Sequence, residues 1–144
     1  MAGFQLSEHI NRSPEEVFAY VTDLSKALEW LPAVTGLEPI SEGPMQVGTR
    51  YQETRRVGDM EGQTEIEVTH YNPPVSYATI FKRGGYHSTY CYTFKIEGVG
   101  TRVELKCVVV GLGIKKLFAP IIARAMRRFD QGQLVSLRKS IERG

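Results

Sequence analysis

From Phe4 to Ile10 apolar and polar residues alternate with a period of two, which predicts a strand with one buried face. Ser13-Pro14-Glu15-Glu16 follows. A serine there caps the first free amides, a proline in the first turn needs no amide partner, and Glu16 can reach back to the Ser13 amide. A helix therefore starts here, with Val17, Phe18, Tyr20 and Val21 as its inward stripe. Asp23 or Ser25 then caps a second short helix carrying Leu28, Trp30 and Leu31, which Pro32 stops.

Six further strands follow, at Leu37 to Glu42, Gly48 to Val57, Gln63 to Tyr71, Val75 to Lys82, Tyr86 to Ile96 and Thr101 to Val110. Each break holds Gly, Pro, Asn or Asp, residues suited to turns. Connections this short permit hairpins and no parallel crossovers, so the sheet is expected to be antiparallel. The chain then closes with one amphipathic helix from Ile114 to Glu142, ~43 Å long at 1.5 Å per residue. Phe118, Ile121, Ile122, Ala125, Met126 and Phe129, continued by Leu134, Leu137 and Ile141, form its apolar stripe. Pro120 either kinks this helix or marks its true start, and Gly132 is a second weak point.

The pattern is α+β: a curved antiparallel sheet of about seven strands wrapped around a long C-terminal helix, with two short helices after the first strand. A sheet with one apolar face needs a cover, and only the last helix is long enough. Parity places Tyr86, Ser88, Tyr90, Tyr92, Phe94 and Ile96 on one face of their strand, opposite His87, Thr89, Cys91, Thr93 and Lys95. Val103, Leu105, Cys107 and Val109 share a face, as do Tyr77, Thr79 and Phe81, and Ile66, Val68 and His70. Tyr51, Glu53, Arg55 and Val57 oppose Arg50, Gln52, Thr54 and Arg56, and both sets carry charge, so either face could be inward. Several phenols aimed into one space imply water or a ligand between sheet and helix. The expected lining is Tyr51, Glu53, Arg55, Tyr77, Phe81, Ser88, Tyr90, Tyr92 and Cys107 from the sheet, with Phe118, Ile122, Met126 and Phe129 as the helix wall. Such clefts typically enclose ~300–1,000 Å³.

Composition sharpens this only in places. The 144 residues suit a single domain spanning 1–144. No apolar run approaches the ~20 residues of a membrane span. The first five residues lack the basic start and apolar core of a signal peptide. Cys91 and Cys107 read as reduced, buried and apolar, and the expected location is cytoplasmic.

The net charge of +2 hides an asymmetry. Residues 114–144 hold eight basic and two acidic side chains, while the other 113 residues hold ten basic and fourteen acidic. A solvated helix face accounts for this, basic faces being common. The sharper alternative is transient contact with an anionic membrane or with RNA, of which nucleic acid is not favoured.

Ile10-Asn11-Arg12-Ser13-Pro14-Glu15-Glu16-Val17-Phe18 resembles the first helix of the START-related helix-grip superfamily, which contains the birch-pollen-allergen-like proteins and the polyketide cyclase/dehydrase group. Trp30-Leu31-Pro32 is similar to its second helix, Gly48-Thr49-Arg50-Tyr51 to its third strand, and Tyr92-Thr93-Phe94 with Gly100-Thr101-Arg102-Val103 to its late hairpin. The resemblance covers nearly the whole chain. It implies a cavity for lipids, sterols, polyketides, hormones or quinones, and in some members cyclisation or dehydration. It carries over the cavity and no catalytic centre, because fold does not fix function.

The catalytic candidates are Glu53, Tyr90 and Tyr92. If Glu53 and Arg55 face inward, a ligand carboxylate could displace Glu53 from Arg55, or the carboxylate could act as acid or base. The commoner arrangement of such residues is a surface ion-pair ladder. His87 points away from the aromatic face and should be exposed, whereas His70 should sit in the core or at its rim. His9, His70 and His87 lie on separate elements, so no metal site is expected. No activated nucleophile or phosphate loop is visible, and no cofactor is expected. Binding of a small hydrophobic or amphipathic molecule ranks first, a cyclase/dehydrase-type enzyme second, and a membrane- or ribosome-docking protein third. Monomer and homodimer both remain open.

Overall fold

The computed structural model describes residues 2–143, without the side chain of Val57, whose expected place beside Arg55 therefore lies outside the described residues. Strand β1 (Ala2–Ile10) leads into α1 (Pro14–Thr22). The Ser13 hydroxyl accepts from the Glu16 amide at 3.2 Å, which starts α1 at the residue that needs no partner. Asp23 accepts from the Ser25 amide at 3.0 Å and opens a 3₁₀ turn, Leu24–Lys26, that runs into α2 (Ala27–Trp30). Then come β2 (Val34–Pro39), β3 (Arg50–Val57), β4 (Met60–Asn72), β5 (Ser76–Arg83), β6 (Tyr86–Glu97) and β7 (Gly100–Gly111). A 3₁₀ turn (Gly113–Leu117) precedes α3 (Ala119–Asp130) and α4 (Gln133–Arg143).

The seven strands form one antiparallel sheet in the order β1-β7-β6-β5-β4-β3-β2. Each of β2 to β6 pairs with its successor, and β1 closes against β7 because α1 and α2 carry the chain across to the far edge. Tyr77 sits opposite Tyr92, Thr79 opposite Tyr90, and Tyr90 opposite Cys107, so the phenols of β5 and β6 converge on one face. Tyr92 stacks between Tyr77 (6.1 Å) and Phe94 (6.5 Å), and Phe18 of α1 meets Phe94 edge-on at 5.3 Å. Val103, Leu105, Cys107 and Val109 are buried on the same side, beneath Leu134, Leu137 and Ile141 of α4.

Four local expectations change. The strand expected at Leu37 to Glu42 lies earlier, at Val34–Pro39, because the Ile40 and Ser41 amides both turn onto the Arg50 carbonyl and bend the chain off the ladder. His70 is exposed rather than on the core face: a bulge between Val68 and His70 inserts one residue and flips parity, and the ring binds the Ser76 hydroxyl at 2.6 Å. His87 is half-buried rather than exposed. Cys91 is half-buried too, on the outer face, while Cys107 is 1% exposed. Burial, with the nearby Asp130 charge, pushes the Cys107 thiol up to about 12. Under native conditions near neutral pH, a disulfide-exchange reagent should therefore titrate one thiol promptly, and two only in denaturant. Prompt reaction of both would contradict this packing.

The closing helix departs most. Gly113–Leu117 is a 3₁₀ turn rather than helix; of the two weak points expected, Pro120 marks the true start of α3 and Gly132 the break before α4. The face of α3 against β1 and β7 is made of Ala119 and Ala123, ending in Asp130. Small side chains let the helix lie close to the sheet, so Phe118, Ile121 and Phe129 turn out to solvent, with Ile122 and Met126 at the margin. The close approach begins at Gly111, where an added Cβ would stand 2.5 Å from the Lys115 carbonyl oxygen.

Candidate functional site

Strand β3 puts Tyr51, Glu53 and Arg55 on the inward face, so the surface-ladder arrangement does not hold. Glu53 is 7% exposed and accepts from Arg55 Nε. The guanidinium also donates from Nη1 to Asp130 Oδ1 at 3.4 Å, and the Tyr90 hydroxyl donates to Asp130 Oδ2. Asp130, the last residue of α3, is 3% exposed. Three residues on, Gln133 Nε2 donates to the Tyr92 hydroxyl. The joint between α3 and α4 is thus fastened to β3 and β6 by a polar chain in which one cation serves two buried carboxylates.

This chain divides two spaces. Inside it lies a cavity of about 60 Å³ bounded by Trp30, Tyr51, Ile66, Tyr77, Thr79 and Tyr92. That is room for a few waters, not for a lipid or polyketide. The expected hollow is largely filled by the protein's own aromatic rings. Outside lies a cleft of about 360 Å³ between the β3–β4 hairpin, β5 and α3, with Met60, Thr64, Met126 and Phe129 among its walls. Glu53, Arg55, Phe81 and Tyr90 line both. A second cleft of about 310 Å³ opens on the Leu31–Val34 side of Arg55. With about a third of its side chain exposed, Arg55 is the accessible member of the partition.

The electrostatics favour donation over abstraction by the phenols. Burial, reinforced by the Asp130 charge, raises the Tyr90 and Tyr92 hydroxyls well above their usual range. Burial likewise raises Tyr51, helped by the neighbouring Tyr77, and carries Tyr77 to about 12. All four are neutral hydrogen-bond donors at physiological pH. Burial pulls Arg55 down, but Glu53 and Asp130 together push it above its ordinary value, so it remains a cation. Trp30, on the inner cavity wall, has a buried Nε1 with no hydrogen-bond partner among the described residues. A buried N–H normally finds an acceptor, so the inner cavity suits an oxygen atom.

Of the residues expected at the site, Tyr51, Glu53, Arg55, Tyr77, Phe81, Tyr90 and Tyr92 share the inner cavity, and Met126 and Phe129 line the outer cleft. Ser88 lies behind them and donates to the Met126 sulfur at 3.8 Å. Cys107 is sealed under Tyr90, Ile122 is half-buried beside the core, and Phe118 faces solvent; none of the four borders either space. Sequence reasoning missed Asp130, Gln133 and Thr79. The signal for Asp130 was present: it falls in step with Ala119, Ala123, Leu134 and Leu137 on the buried side of the closing helices. Among the described residues no cluster of three His, Cys, Asp or Glu could hold a metal ion, and no helix is long and apolar enough to cross a membrane.

Residues 1–142 match the family described as "Polyketide cyclase / dehydrase and lipid transport". The chain belongs to this family. Solved structures agree on its helix-grip fold. The chain is similar to Ara h 8.0201 at 12% identity, with a TM-score of 0.80, covering 99% of this chain and 98% of that one. To TTHA0849 from Thermus thermophilus it is 20% identical, with a TM-score of 0.73 over 98% and 94%. The di-domain ARO/CYC protein BexL, from the BE-7585A biosynthetic pathway, matches at 12% identity and a TM-score of 0.83, over 99% of this chain and 47% of that one. At these identities the likeness is one of fold. A search of curated proteins finds no significant match.

Proposed function

We propose that this family member binds a small, mainly apolar molecule bearing an oxygen at one end, and that the partition of Glu53, Arg55, Phe81 and Tyr90 controls how far it enters. The supporting observation is that these four residues border both the outer cleft and the inner cavity. The apolar body rests against Phe81, Met126 and Phe129, and its burial contributes ~25 cal/mol per Å². The oxygen accepts from the phenols or from Trp30 Nε1. Arg55 is held between two carboxylates and one side of it is open, so it can swing aside without losing both partners.

The fluorescent probe 1-anilinonaphthalene-8-sulfonate tests the site. Its emission should rise and saturate at one probe per chain. Met126→Trp, which fills the cleft, should weaken binding about tenfold with the melting temperature unchanged. Probe binding indifferent to Met126→Trp, together with no bound molecule in native mass spectra of protein from its source, would defeat the reading.

A second reading has one observation in its favour: Glu53 is the carboxylate lining the inner cavity, beside phenols that donate. A cyclase/dehydrase-type reaction would use Glu53 to take a proton from carbon between two carbonyls, with Tyr90 or Tyr92 donating to the carbonyl oxygen. Turnover of a polyketide-like substrate should then fall by orders of magnitude in Glu53→Gln with folding intact, and an unchanged rate would remove Glu53 from the chemistry.

A further inference from the structure

The segment from Leu112 to Phe129 is used sparingly by the fold. Only Ala119 and Ala123 within it are buried. Its large apolar side chains stand in solvent: Ile114 is 75% exposed, Leu117 69% and Ile121 64%, with Leu112, Phe118 and Phe129 also exposed. The segment carries five cations, Lys115, Lys116, Arg124, Arg127 and Arg128, and no acidic residue. Lys115 is folded back onto the Gly84 carbonyl at 2.5 Å and over the Tyr86 ring, which fixes the 3₁₀ turn to the sheet. The other four form no ion pair among the described residues. On α3, Ile121, Arg124 and Arg128 share the side opposite the Ala119–Ala123 face that packs on β1 and β7, and Ile114 and Leu117 stand exposed on the 3₁₀ turn just before it.

We propose that this surface docks on an anionic phospholipid bilayer, with Ile114, Leu117 and Ile121 entering the headgroup region and the four unpaired cations meeting lipid phosphates. A helix with an exposed aliphatic side flanked by cations lies in an interface in this way. Charge selects the occupant. A second copy docking symmetrically would bring five cations against five. RNA would be gripped by cations with stacking rings, whereas the three most exposed large apolar side chains of this patch, Ile114, Leu117 and Ile121, are aliphatic and stand more exposed than Phe118 and Phe129. The same helix supplies Met126 and Phe129 to the outer cleft, so docking holds the cleft mouth near the lipid. The inference stands apart from the proposed ligand, because vesicle binding is read without one.

Sedimentation with vesicles of phosphatidylcholine, with and without phosphatidylglycerol, tests it on the full chain. Binding to the anionic vesicles should exceed binding to the neutral ones by tenfold or more, at about fivefold per engaged cation, and should collapse in high salt. Leu117→Asn/Ile121→Asn, both at exposed positions, should cut it about tenfold with the circular dichroism unchanged. Leu117→Trp should be quenched by brominated lipid while the single native Trp30, 3% exposed, is not. Equal binding to both vesicle types, or binding untouched by the double substitution, would overturn the proposal. So would tighter binding to RNA at the same salt, or a dimer that the double substitution dissolves.

Discussion

Arg55→Met should lower the melting temperature by about 10 °C near neutral pH, the largest stability loss expected of any single change at the site. Among the described residues Arg55 is the one cation bonded to both Glu53 and Asp130, which are 7% and 3% exposed. Methionine keeps much of the side-chain volume and removes the charge, leaving two carboxylates in a poorly hydrated space. Tyr90 still donates to Asp130, but Glu53 loses its partner. Stranding the partner of a buried ion pair typically costs about 3–5 kcal/mol, and the partial exposure of Arg55 favours the low end. Adding Glu53→Gln should recover part of the loss. Thermal melts of the three proteins at neutral pH decide the matter, and a fall within about 2 °C would show that the partition is not electrostatically built.

The polar chain explains which parts of the site were legible in the sequence. Strict alternation gave the inward face of β6 correctly from Ser88 to Phe94, because its hairpin with β7 is regular and each residue has one partner. Alternation could not orient β3, where Glu53 and Arg55 look like surface residues until Asp130 arrives from a helix 75 residues later. It failed at His70 because a bulge changes parity without changing composition. In the closing helices the stripe holds for Leu134, Leu137 and Ile141 of α4 and fails in α3, for another reason. Hydrophobicity alone selects the bulkiest stripe as the buried one, yet α3 packs through alanines and leaves Ile121 and Phe129 outside. A helix that spends its largest apolar groups on solvent, and an aspartate on the core, departs from stability-driven patterning at two places, and these carry the docking surface and the partition. The hollow was inferred from several inward phenols. The rings themselves, stacked at 6.1 and 6.5 Å, take up most of that room.

Those rings also set the upper pH limit of the fold. The hydroxyls of Tyr51, Tyr77, Tyr90 and Tyr92 are all raised above the ordinary value of 10.0. A group whose folded pKa is raised contributes stability that is complete below its unfolded value and is lost as pH climbs toward the folded one. The unfolded chain can release these four protons from pH 10.0 upward, whereas the folded chain must hold them. At one unit above the unfolded value each tyrosine removes about 1.4 kcal/mol, and four together about 6 kcal/mol, comparable with the whole stability of a small domain. The protein should therefore be steady to about pH 10 and unfold cooperatively within the next unit or two. Phenolate absorbance separates this from ordinary titration. At most three of the seven tyrosines should ionise before the far-ultraviolet dichroism falls, and the remaining four with it. Ionisation of all seven while the dichroism stays native would mean that water reaches the inner cavity freely, and the partition of Glu53, Arg55, Phe81 and Tyr90 would then control nothing.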